Sequence, residues 1–207
     1  MTEAWHYTGS TLRDGCPIPP AGEWLVHDGP LVPGESGLHA CTEPWDGLTS
    51  APGCQLHRVE LDGNIIPDFD SMVAAKRRIL KSHDISGLLA RFAIDQVFSV
   101  AHLWNMPLPH REFFESGGTR CLKEAIYVQA HEVCDWPIPR DPAASSAMSA
   151  SSTVISYYAN PLANEYMQVQ TLVIAIKFSL LAIPSDKRDA VGREFNRRVY
   201  EAFEVVP

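Results

Sequence analysis

Hydrophobic and polar positions change their rhythm once along the chain. In the first 64 residues, short apolar or alternating runs cover Ala4–Thr8, Glu23–His27, Leu38–Cys41 and Gln55–Leu61. In the last run, Leu56, Arg58 and Glu60 alternate with His57, Val59 and Leu61, a period of two. Turn-formers separate the runs: Asp14-Gly15, Pro17 to Pro20, Asp28-Gly29-Pro30, Pro33-Gly34, Pro52-Gly53 and Asp62-Gly63. Short strands joined by tight turns give this pattern, so the segment reads as an irregular, mostly antiparallel β unit.

After Pro67 the spacing becomes helical. Asp68 or Asp70 predicts a cap for a helix through Leu80, with Met72, Val73, Ile79 and Leu80 as its apolar positions. Asp84 or Ser86 opens a second, with Ile85, Leu88, Leu89, Phe92, Ala93, Val97, Val100, Ala101 and Trp104 at helical spacing, stopped by Pro107 and Pro109. Residues 119–134 read as a third. The stretch 136–142 (WPIPRDP) reads as non-helical, and Ala143–Thr153 as a linker or a weak helix. Two closing helices are expected, at about 161–183 and at 185–203, the last with Val191, Phe195, Val199 and Ala202 as its buried stripe. Arg193, Arg197 and Arg198 are balanced there by Glu194 and Glu201, which makes a solvated face. The expectation is an α+β protein: an acidic β-rich module over 1–66, then a helical region over 67–207.

Composition fits this picture and narrows the function. The chain has 207 residues, 45% hydrophobic and 20% charged, which is globular. Its net charge is −8, and the first 64 residues hold nine acids against two bases. Such a surface disfavours a nonspecific nucleic-acid coat, since phosphate neutralisation needs clustered Lys and Arg. The start shows no basic-then-apolar leader pattern. The most apolar run, Thr171–Ile183, has 13 residues and is interrupted by Lys177, short of the roughly 20 that span a bilayer. The expected setting is cytoplasmic, with reduced thiols. Lys76-Arg77-Arg78 reads as an anion-binding or solvated basic run, with solvation the default.

The candidate chemistry gathers in the β unit, which holds four of the eight histidines and three of the five cysteines. His6, His27, His39 and His57 fall on four predicted strands. His39 and Cys41, two apart, share a strand face. With Cys16 or Cys54 they make a zinc-stabilised module chemically possible, although no metal-ligand spacing is present.

His6-Tyr7-Thr8 on a short first strand, followed by His39 or Thr42 in GLHACTEPWDGL, resembles the ADP-ribosyltransferase family. That resemblance implies a transferase or glycohydrolase using NAD or a nucleotide. His6, Thr8, His39 and Glu60 would be its catalytic residues, and Tyr7, Thr42 and Trp45 would hold the cofactor. Glu60 or Asp62, in RVELDG, would be the acid that orients the ribose. A longer likeness runs through WHYTGSTLRDGCPIP, VHDGPLV, ESGLHACTEPWDGLTSAPG, LHRVELDG, KRRILKSHD and HLWNMPLPHREFFESGG. These phrases resemble a family of uncharacterised phage and bacterial proteins with an Ala-rich helical tail. That resemblance implies an interaction or accessory protein docking on a host or virion partner, or self-associating through its C-terminal helices. Exposed Tyr157, Tyr158, Tyr166 and Met167 would supply the contact face.

Overall fold

A computed structural model describes residues 1–131 and 139–205. The fold is α+β, with an antiparallel sheet in the N-terminal part and helices mostly C-terminal to it. Two compact units emerge: Met1–Ser86 together with Gly192–Pro207, and Gly87–Val191.

The first unit contains β1 (Thr2–Thr8), β2 (Trp24–Val26), β3 (Leu38–Cys41), the short helix α1 (Pro44–Leu48), β4 (Gln55–Asp68) and β5 (Ser71–Asp84). The strand order is β2-β5-β3-β1-β4, and β4 also pairs with β5. Four strands therefore close on themselves, leaving β2 attached to the outer edge of β5. Tight closure suits small inward side chains. Ala4, Ala40 and Ala74 fill that role in a cluster with Val59, Leu61 and Ile79.

β5 departs from the sequence expectation. Ser71–Asp84 is a strand, where the pattern predicts a helix from Asp68 or Asp70 to Leu80. Pairing with β4 overrides the helical spacing of Met72, Val73, Ile79 and Leu80. The register shows why: acidic Glu60 and Asp62 stand opposite Arg78 and Lys76, so two of the three basic residues meet acids across the hairpin. The boundary expected at 66 consequently falls inside β4. The hairpin closes in two residues, with Phe69 at a φ of 42° and fully exposed.

The C-terminal segment belongs to this unit as well. The helix Arg188–Phe203 is the last one described, and from Gly192 onward it lies against the sheet face that carries Trp5. The Trp5 ring lies 5.7 Å from Tyr200, tilted by 34°, and meets Phe203 edge-on at 4.9 Å. The His83 ring meets Phe203 at 4.5 Å, and Trp45 lies 5.7 Å from Phe195. Phe195 and Val199 are buried as expected; Val191 is partly buried, and Phe203 is buried where Ala202, expected in the stripe, is exposed.

The second unit is helical: α2 (Ser86–Ser99), a 3-10 turn at Ala101–Leu103, α3 (Leu108–Glu115), α4 (Leu122–His131), α5 (Pro142–Ala159) and α6 (Glu165–Leu181), with a further 3-10 turn at Ser185–Lys187 before the last helix, α7. The Ala/Ser stretch is a full helix. Asp141 caps it by accepting from the Ala144 amide at 2.8 Å, and Pro142 takes the first position. The hydroxyls of Ser149, Ser151, Thr153 and Ser156 each donate to the carbonyl one turn back, which satisfies them within the helix. α5 packs closely on α6, and its small residues Ala147, Ala150 and Ser151 are fully buried. Of the expected non-helical stretch 136–142, residues 136–138 lie outside the described residues, and Pro142 belongs to α5 rather than to the break. Among the described residues, no helix is long and apolar enough to cross a membrane.

Candidate functional site

Strand pairing brings two of the four histidines of the β unit together. His6 on β1 stands directly opposite His57 on β4, and their rings stack at 6.3 Å. His57 also stands opposite Ser82 on β5. Its Nε2 lies 2.9 Å from Thr8 Oγ1, and its Nδ1 lies 2.7 Å from Ser82 Oγ. Thr8 and His57 are buried and Ser82 is exposed, so the chain of bonds runs from the interior to the surface.

The hydrogen-bond partners around His57 favour one tautomer. The Thr8 hydroxyl donates its one hydrogen to the Gly9 carbonyl at 2.9 Å. It therefore accepts from His57, which makes Nε2 the protonated nitrogen. Nδ1 then accepts from Ser82. Burial, reinforced by the Arg77 cation, lowers the His57 pKa to about 4. His6 is also pushed well below the ordinary value, first by burial and then by Arg77, His57 and His39. Both imidazoles are neutral at physiological pH.

Arg77 completes the group. It is 6% exposed, and its Nη1 donates to the carbonyl of His39 on β3. Burial lowers its pKa to about 10, which leaves it charged. The alternation of β5 separates it from Lys76 and Arg78, which point to the opposite face. The Thr8–His57–Ser82 chain is not apparent in the sequence alone. The advance signals are the period-two placement of His57 and the basic run Lys76-Arg77-Arg78, whose default reading is solvation and which does not single out Arg77.

The other candidate residues are placed as follows. The His39 ring is turned toward its own loop, where Nε2 accepts from the Gly34 amide at 3.0 Å. Glu60 lies on the sheet face opposite His57 and is ion-paired with Arg78, whose guanidinium also sits 4.7 Å over the Trp24 ring. Tyr7 is buried and donates to the Pro44 carbonyl at 2.9 Å. The Thr42 side chain is exposed, and its amide donates to the Asp70 carbonyl at 2.9 Å. Trp45 packs on Phe195, with its amide bonded to Asn196 Oδ1 at 2.8 Å. The structure thus joins His6 and Thr8 and directs Glu60, Tyr7 and Trp45 elsewhere.

His27 and Cys41 also have settled surroundings. His27 Nε2 lies 3.1 Å from Ser36 Oγ. Burial and the carboxylates of Asp46 and Asp70 push the Cys41 thiol up to about 11, so it stays protonated at neutral pH. Among the described residues, no three His, Cys, Asp or Glu side chains gather as a metal ligand set. Comparison with family models, curated proteins and solved structures finds no match to this chain.

Proposed function

We propose that the closed-sheet unit binds a small polar ligand of nucleotide type, NAD included, on the face that carries His6, Thr8 and His57. The observation that supports this reading is the Thr8–His57 bond beside His6: a buried polar group set against an otherwise apolar ring of Ala4, Ala40, Val59 and Leu61. Buried polar groups cost stability relative to apolar packing unless every partner is supplied, and proteins keep such groups where function uses them. The reading is one of binding. A transferase needs a carboxylate beside the reacting ribose, and Glu60 is held by Arg78 on the other face.

Thermal unfolding and calorimetry of the full chain with NAD and with ADP test this. A saturable rise in melting temperature that His6→Ala abolishes supports the reading. No shift with either nucleotide at millimolar concentration contradicts it.

A second reading, an accessory protein that docks on a host or virion partner, is supported by α6. Its buried side carries Val169, Leu172, Val173 and Ile176, yet Met167, Ile174 and Leu181 form an exposed apolar stripe at seven-residue spacing. A heptad stripe fits another apolar helix, and the chain itself carries one, so a second copy is the occupant to test first. The net charge of −8 speaks against a nucleic-acid partner.

A further inference from the structure

We infer that Arg77 and His6 form a site for a phosphate group on this face of the closed sheet. The inference deepens the nucleotide reading by naming the part of the ligand that is held, and it rests on that reading for the ligand class.

The argument begins with charge. A buried guanidinium loses most of its hydration, and proteins ordinarily restore that loss with a carboxylate. Arg77 is 6% exposed, yet among the described residues it makes no ion pair; its recorded bond is to the neutral carbonyl of His39. This occurs in a strongly acidic chain. Its neighbours on β5 are matched by acids, Arg78 by an ion pair with Glu60 and Lys76 by its register opposite Asp62. Glu3 is taken by Arg58. The cation that the alternation turns inward is the one left without an acid.

The second argument concerns free donors. Both ring nitrogens of His57 are committed, to Thr8 and to Ser82. His6 is half-buried and stacks on His57, and among the described residues its ring nitrogens have no hydrogen-bond partner. A neutral imidazole offers one N–H, and the guanidinium of Arg77 keeps N–H groups beyond the one given to His39. A planar cation beside a single N–H donor suits a tetrahedral anion with several acceptor oxygens. His57, fixed on both sides, holds the His6 ring in place by stacking.

The test uses the intact chain and side-chain nitrogen NMR, reading the Arg77 Nε–H and His6 ring signals. Inorganic phosphate, ADP and NAD are titrated at matched ionic strength, with acetate and chloride as controls. The expected result is a saturable shift of both residues with phosphate and with the nucleotides, and none with acetate or chloride. Arg77→Met should weaken phosphate binding about tenfold or more, the loss expected for a charge-assisted bond. Arg77→Lys should retain part of it, which guards against a Met variant that fails to fold. Phosphate shifting both residues while neither nucleotide binds upholds the site and contradicts the nucleotide reading. NAD binding without moving Arg77 contradicts the site and leaves that reading standing. No saturable shift with any phosphate species, or an equal shift with acetate, overturns the site.

Discussion

Thr8 and His57 meet across β1 and β4 at 2.9 Å, with the threonine hydroxyl accepting because its own hydrogen goes to Gly9. Thr8 is 2% exposed, so no water readily replaces it. Thr8→Val keeps the volume and strands the Nε2–H, and is expected to cost about 1–3 kcal/mol in chemical denaturation. Ser82→Ala at the exposed end of the same chain is expected to cost less, since solvent can take the place of its hydroxyl. Equal costs at the two ends would contradict the buried-to-surface arrangement.

Acid should loosen the fold through His57. Its pKa in the folded protein is lowered to about 4, against an ordinary value of 6.5. Protonation therefore favours the unfolded chain. The contribution of neutral His57 is complete above pH 6.5, falls as pH drops toward 4, and levels off below that. Its full size is about 3 kcal/mol. His6 acts in the same direction. Denaturant midpoints of the native chain and of His57→Gln, followed against pH, should converge on acidification. Parallel curves would contradict the assignment.

Gly192 is packed against an indole. A Cβ built there would lie 2.9 Å from Cδ1 and Nε1 of Trp45. Gly to Ala inside an exposed helix normally gains about 1 kcal/mol. Here that gain should be cancelled or reversed, and Gly192→Val should destabilise by about 1–3 kcal/mol, as overpacking does. Thermal melting of the two variants decides it; a more stable Ala variant would show that the indole gives way freely.

The stripe on α6 makes a separate demand. If Met167, Ile174 and Leu181 pair with a second copy, sedimentation velocity should show concentration-dependent association that Ile174→Glu abolishes. The variant should keep its helicity, because Ile174 is 44% exposed. A monomer at every concentration removes self-association.

Local pattern carried much of this architecture. The alternation at Gln55–Leu61 marks β4, and Asp84 or Ser86 marks the start of α2. What depended on distant pairing was illegible. Val73 and Ile79 suit either period, and only Glu60 and Asp62 across the hairpin decide for a strand. Ala143–Thr153 reads as a linker or a weak helix because serine has modest helix propensity; back-bonding hydroxyls and close packing on α6 supply what propensity lacks. At the site, His6 and Thr8 were readable as a pair. Their partners His57, Ser82 and Arg77 emerge only once register sets which residues face each other.

The imidazole of His57 offers the most direct test of the enclosed polar group. Long-range proton–nitrogen correlation spectra should show a single neutral tautomer, protonated at Nε2, persisting at about pH 5.5, where an ordinary histidine is mostly charged. A ring that titrates near its ordinary value, or that interchanges between both tautomers, would contradict the Thr8–His57–Ser82 arrangement and the ligand site built upon it.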